Sequence, residues 1–126
     1  MPKVSRETAQ LDAFGPVEDR HMDMDGGYTI NFLTFLVDSD GTELVKGLPG
    51  DKCQCPHWGY VFKGKLTFRT DHGEEVFGPG DAFYLAPGHI PIVEAGSEYL
   101  QFSPSEELHV VSDHIVQKVQ QMQALA

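Results

Sequence analysis

The chain is short of basic residues, of cysteine and of long apolar runs, and each shortage removes a class of function. Nine Lys and Arg stand against nineteen Asp and Glu, a formal net charge of −10 over 126 residues. Nucleic-acid binding draws most of its affinity from phosphates neutralised by clustered cations. No such cluster exists here, so no nucleic-acid partner is expected. The acidic balance also opposes binding to anionic lipid and favours mutual repulsion between copies. No segment approaches the roughly 20 apolar residues of a membrane span. The stretch Met1-Pro2-Lys3-Val4-Ser5-Arg6-Glu7 lacks the apolar core of a secretory signal. The expectation is a cytoplasmic protein with no membrane association.

The only cysteines, Cys53 and Cys55, are separated by one residue. Extended Cα atoms two apart lie about 6.5 Å from each other with parallel side chains, an awkward geometry for a disulfide. In a reducing compartment a close cysteine pair points to metal or redox chemistry.

What the chain does have is one domain's worth of short apolar runs separated by turns. Residues 1–27 are polar and read as an irregular N-terminal arm. Tyr28 to Val37 is dense in β-branched and aromatic residues and reads as a strand. From Cys53 to Ser103, runs such as Tyr60-Val61-Phe62, Leu66-Thr67-Phe68 and Ala82 to Leu85 alternate with Gly and Pro signals. Many short strands between such turns describe an all-β sandwich or barrel, here spanning residues 28–104. Residues 105–126 then change period. Ser103-Pro104-Ser105-Glu106 resembles a capped helix start, and Leu108, Val111, Ile115, Val119 and Met122 recur at three- and four-residue steps. This predicts a C-terminal helix with one apolar stripe, packed on the outside of the barrel or against a second copy.

The run Gly47-Leu-Pro-Gly-Asp-Lys-Cys53-Gln-Cys55-Pro-His57-Trp-Gly-Tyr-Val-Phe-Lys-Gly64 resembles the first motif of the cupin superfamily: glycine, five residues, His-x-His, a short spacer, glutamate, six residues and glycine. Cysteines stand at both histidine positions, His57 stands at the glutamate position, and the spacer is shortened to Pro56. Gly80-Asp81-Ala-Phe-Tyr-Leu-Ala-Pro87-Gly88-His89-Ile-Pro91 resembles the second motif, with His89 two residues before the usual histidine place. A two-residue shift preserves side-chain direction on a strand. More narrowly, the Cys-x-Cys-Pro-His-Trp-Gly-Tyr run resembles a group of bacterial cupin-domain proteins without an assigned activity. The resemblance covers residues 28 to 104 and implies a jelly-roll-like antiparallel β-barrel.

Cupins commonly hold a divalent metal through three histidines and a glutamate. The matching set implied here is Cys53, Cys55, His57 and His89. Two thiolates and two imidazoles suit tetrahedral zinc, with iron, manganese or nickel as alternatives. On a straight strand Cys53 and His57 would lie about 13 Å apart. Cys55, His57 and His89 therefore make the less strained three-ligand site, with Cys53 joining if the chain bends at Pro56. Plainer readings stand beside these: buried cysteines as small apolar residues, His57 as a hydrogen-bonded core histidine, His89 as a turn cap.

His21, His72, His109 and His114 read as solvated surface residues, and Glu94 as a surface carboxylate with a candidate acid/base role near a pocket mouth. Tyr60, Phe62, Phe68, Phe83, Tyr84 and Phe102 offer aromatic walls, read mostly as core. No residue is assigned a catalytic role. Three functions compete: a metal-containing barrel that binds a small molecule, or senses redox state through its thiolates; a metal-dependent isomerase, lyase, hydrolase or dioxygenase; and a metal-free ligand barrel. A homodimer is expected.

Overall fold

The structure is a computed structural model that describes residues 2–124 and, for Phe14, the backbone alone. Ten strands run β1 (Gln10–Phe14), β2 (Val17–Met24), β3 (Tyr28–Phe35), β4 (Ser39–Asp40), β5 (His57–Lys63), β6 (Leu66–Thr70), β7 (Gly73–Phe77), β8 (Ala82–Leu85), β9 (Ile90–Val93) and β10 (Glu98–Pro104). A single helical turn, α1 (Thr42–Val45), precedes β5, and α2 (Ser105–Ala124) ends the described chain. The strands form a six-stranded sheet in the order β1-β2-β3-β10-β5-β8 and a four-stranded sheet in the order β4-β9-β6-β7, with every pairing antiparallel.

Side chains alternate across a strand, so each strand sends every second residue inward. Phe35, Val61, Phe83, Leu85 and Tyr99 from the large sheet meet Leu66, Phe68 and Val93 from the small one in a single buried cluster. Full burial of each such apolar side chain is worth about 1.5–3 kcal/mol. Gly59 belongs to this inner face, and its missing Cβ leaves room for the Phe83 ring against the Leu100 carbonyl. A second buried cluster joins Val45, Leu48, Cys53, Cys55, Ile90, Leu108 and Val111 where α1 and α2 pack over one end of the barrel.

Several expectations change. The stretch read as an irregular arm carries β1 and β2, and β2 pairs with β3 along all eight of its residues. Its inward positions are Val17, Asp19 and His21, and the two polar residues erase the alternation that marks a strand. The helix starts at Ser105, because Ser103 and Pro104 remain in β10. The apolar stripe of α2 does not lie on the outer wall. Leu108, Val111, Ile115 and Val119 face the barrel interior, while Met122 is exposed. Residues 125 and 126, included in the expected helix, lie outside the described residues.

Most of the six aromatics read as core face outward. Tyr60, Phe62, Tyr84 and Phe102 are exposed, with Phe68 and Phe83 alone buried. The registers explain this: Trp58 and Tyr60 on β5, Tyr84 on β8 and Phe102 on β10 share the outer side of the large sheet. His21 and His114 are not simply solvated. His21 Nε2 meets Asp12 Oδ2 at 2.6 Å, and His114 Nε2 donates to the Lys46 carbonyl at 2.8 Å. His72 and His109 are exposed, as is Glu94, which sits 3.8 Å from Lys65.

Candidate metal centre and cavity

Cys53 is held by backbone bonds rather than by a strand of its own. It forms an isolated antiparallel bridge with His89: its N–H donates to the His89 carbonyl at 2.9 Å, and the N–H groups of Gly88 and His89 donate back to its carbonyl at 2.8 and 3.2 Å. Gly88 makes the necessary turn with φ at +97°, a region that glycine adopts without strain. Cys53 and His89 thus stand side by side. Residues 54–56 form no strand, and β5 begins at His57. Pro56, with no N–H to offer a ladder, sits at that break.

The break folds the chain back. Cys53 Sγ lies 3.7 Å from His57 Nε2, and the ring centroids of His57 and His89 are 5.2 Å apart. One ligand atom from each of Cys53, His57 and His89 lies within 4.8 Å of the other two, and all three residues are buried. Cys55 lies outside this group. Its side chain is buried in the apolar cluster beneath α2, with Sγ 3.4 Å from the Pro56 carbonyl. The set brought together is therefore Cys53, His57 and His89, rather than Cys55, His57 and His89. The straight-strand distance that argued against Cys53 does not apply, because the chain between Cys53 and His57 is bent.

Each imidazole is oriented through its other nitrogen. His89 Nδ1 donates to the Ala86 carbonyl at 2.8 Å, and His57 Nδ1 pairs with Ser103 Oγ at 2.6 Å. Both Nε2 atoms are left free to ligate, the arrangement that metal-binding histidines use. Burial, with help from neighbouring His89, lowers the His57 pKa to about 3. Burial also lowers that of His89, against the opposing pull of the Ala86 carbonyl. Both rings are neutral at physiological pH, the state that coordinates metal. Burial pushes the Cys53 thiol up to about 11 and the Cys55 thiol up to about 12. Neither ionises without a cation beside it.

The donor set fits a divalent ion. Ligand bonds of 2.0–2.3 Å in tetrahedral geometry separate sulfur and nitrogen by about 3.6 Å, and the observed Cys53–His57 separation is 3.7 Å. Two neutral imidazoles and one thiol that loses its proton on binding leave a fourth position open.

The three donors border a cavity of about 160 Å³. Leu33, Phe35, Phe68 and Val93 form much of its wall, α1 and α2 close its end, and Cys53, His57 and His89 reach it. Asp19, Asn31, Tyr99 and Gln101 also line it, and none of them is among the site candidates named from the sequence. Asn31 Nδ2 donates to Asp19 Oδ1 at 2.9 Å. Burial raises the Asp19 pKa, partly offset by that hydrogen bond. The signal was present as polar residues two apart, Asp19 and His21 on β2, Thr29 and Asn31 on β3, and Gln101 and Ser103 on β10, but it could be read only once the strand register was known. Ser103 was read as a helix cap because its sequence neighbours suit one.

A scan against models of known families gives no match, and a search of curated proteins gives none either. Solved structures do match. An RmlC-like cupin from Shewanella frigidimarina NCIMB 400 is 15% identical with a TM-score of 0.57, over 80% of this chain and 88% of its own. A protein of unknown function from Rhizobium leguminosarum bv. viciae 3841 is 22% identical with a TM-score of 0.62, over 82% and 95%. The iron(II) form of HppE is 8% identical with a TM-score of 0.57, over 82% and 60%. The fold is that of the cupins, an antiparallel jelly-roll-like β-barrel carrying a C-terminal helix.

Proposed function

We propose that this cupin barrel binds one divalent metal ion, zinc by its ligand chemistry, through Cys53, His57 and His89, and that the metal's open position receives a small molecule held in the adjoining cavity. The observation that carries the reading is the convergence of three buried donors of three-ligand zinc type at the cavity wall. A thiolate donor favours zinc over the harder manganese or magnesium. The iron(II) form of HppE, on a related fold, is a precedent for metal in such a barrel. Two free, buried cysteines suit a reducing compartment, which supports a cytoplasmic location.

Three donors, one short of a closed tetrahedral set, beside a cavity also favour a second reading, a metal-dependent enzyme. When bound, the metal would polarise a carbonyl or activate water there. The chain's own residues would orient the ligands and exclude water.

Homodimerisation is the proposed assembly. Tyr28, Trp58, Tyr60, Tyr84 and Phe102 are exposed together on the outer face of the large sheet. A contiguous aromatic face of this kind marks an interaction surface, and a two-fold axis through it would place the same patch on both copies.

The test is elemental analysis of protein purified without a metal-affinity tag, alongside Cys53→Ser and His57→Gln. Stoichiometric zinc in the parent, lost in both variants, is the expected result. A folded parent free of metal after zinc supplementation would leave a metal-free ligand barrel.

A further inference from the structure

Away from the metal centre the cavity has a second polar wall, built from the inner rows of the large sheet. Asp19 on β2 is buried and accepts through Oδ1 from Asn31 Nδ2 at 2.9 Å. Asn31 Oδ1 in turn faces Gln101 Nε2, its cross-strand partner on β10, at 3.5 Å. Asp19 Oδ2 makes no hydrogen bond among the described residues. Among the described residues no fully buried side-chain oxygen is left without a partner, so Oδ2 reaches open space, and Asp19 lines the cavity.

Three features define what fits. No Lys or Arg lines the cavity, and Asp19 supplies its one carboxyl group. An anionic group placed at the Asp19 end would therefore stand beside an acid with no cation of the chain to balance it, at a large desolvation cost. The remaining wall is mainly aliphatic and aromatic. The volume, about 160 Å³, is close to that of a protein cavity of about 150 Å³ known to hold benzene.

We propose that Asp19, Asn31 and Gln101 form a polar ligand subsite, and that the cavity takes a neutral molecule of about one ring's size, which sets a hydroxyl group on Asp19 Oδ2 while its apolar body extends toward Cys53, His57 and His89. A hydroxyl both donates and accepts, so it satisfies Oδ2 whether the carboxyl is ionised or protonated. A phosphate or carboxylate group is excluded from the Asp19 end of the cavity. The inference deepens the metal-site reading and rests on it only for what lies at the other end of the cavity.

Calorimetric titration with phenol, benzoate and toluene tests it on the zinc-supplemented and the chelator-treated protein, with metal content measured on the same samples. The chelator-treated parent, in which no metal can ligate a carboxylate, is expected to bind phenol at least about tenfold more tightly than benzoate or toluene, the scale of one well-formed hydrogen bond. Asp19→Leu should lower phenol to the level of toluene, and Asp19→Asn should narrow the gap between phenol and benzoate. Circular dichroism establishes that each variant is folded, and Gln101→Leu gives a second route should Asp19→Leu fail to fold. In the chelated protein, benzoate binding as well as phenol, phenol affinity unchanged by the substitutions, or no binding of any probe would overturn the proposal. Phenol preference in a protein that takes up no zinc on supplementation would overturn the metal reading alone, and zinc uptake without phenol preference in the chelated protein would overturn this one alone.

Discussion

The sulfur of Cys53 stands 3.7 Å from Nε2 of His57 although three residues separate them, while Cys55, nearer in the chain, turns its thiol into the apolar layer beneath α2. The two cysteines of one short motif thus have different roles. Removing them one at a time should separate metal binding from packing. Cys53→Ser is expected to lose stoichiometric metal, and Cys55→Ser to keep it. Elemental analysis of both variants decides the matter, and metal lost from Cys55→Ser but kept in Cys53→Ser would reverse the ligand assignment.

Ser103 touches no metal position, yet it holds His57 Nδ1 at 2.6 Å. Removing a partner of this kind typically weakens metal binding about 10–100-fold. Ser103→Ala should therefore show that loss in chelator competition while retaining its strand signature by circular dichroism. Unchanged affinity would mean that the imidazole is oriented by packing alone.

The metal-free protein should have a stability plateau with two sloping sides. His57 has a folded pKa near 3 against an ordinary 6.5, so below 6.5 the unfolded chain binds more protons. Its contribution is fully present above 6.5 and is lost as pH falls toward 3. Cys53 has a folded pKa near 11 against an ordinary 9.0. Its contribution is fully present below 9 and is lost as pH rises toward 11. Chemical denaturation across pH on the chelated protein reads both slopes, and His57→Gln should flatten the acidic one.

Gly59 tests the packing of the inner face. A Cβ there would collide with the Phe83 ring and the Leu100 carbonyl. Overpacking of this kind costs about 1–3 kcal/mol, so Gly59→Ala should melt several degrees below the parent. An unchanged melting temperature would show that the β5–β8 pair shifts freely.

The outer aromatic face predicts an assembly. Tyr60→Arg places a charge among exposed Trp58, Phe62 and Tyr84, and light scattering should show a dimeric parent become a monomer with its metal content unchanged. A monomeric parent would remove the dimer.

Much of the barrel was legible from local chemistry. Closely spaced Gly and Pro turns between β-rich runs mark strands wherever they occur, and β3 and β5 to β10 lie where such runs stand. The helical period after Ser105 likewise gave α2, because amphipathic spacing is a local property. His57, His89 and the cysteine pair stood out by residue type and motif position.

Register and chain direction were beyond the sequence. Whether Tyr60 or Val61 faces inward depends on which residue opposes Tyr99, a tertiary fact that inverts every side chain if moved by one. The same uncertainty hid β2, whose inward Asp19 and His21 serve the cavity and a hydrogen bond rather than an apolar core. Sequence determined that a cysteine–histidine constellation would sit in a β-barrel. The fold decided that a bend near Pro56 and a bridge to His89 bring in Cys53 and leave Cys55 out, because side chains converge through backbone pairing between distant strands and not through their spacing along one.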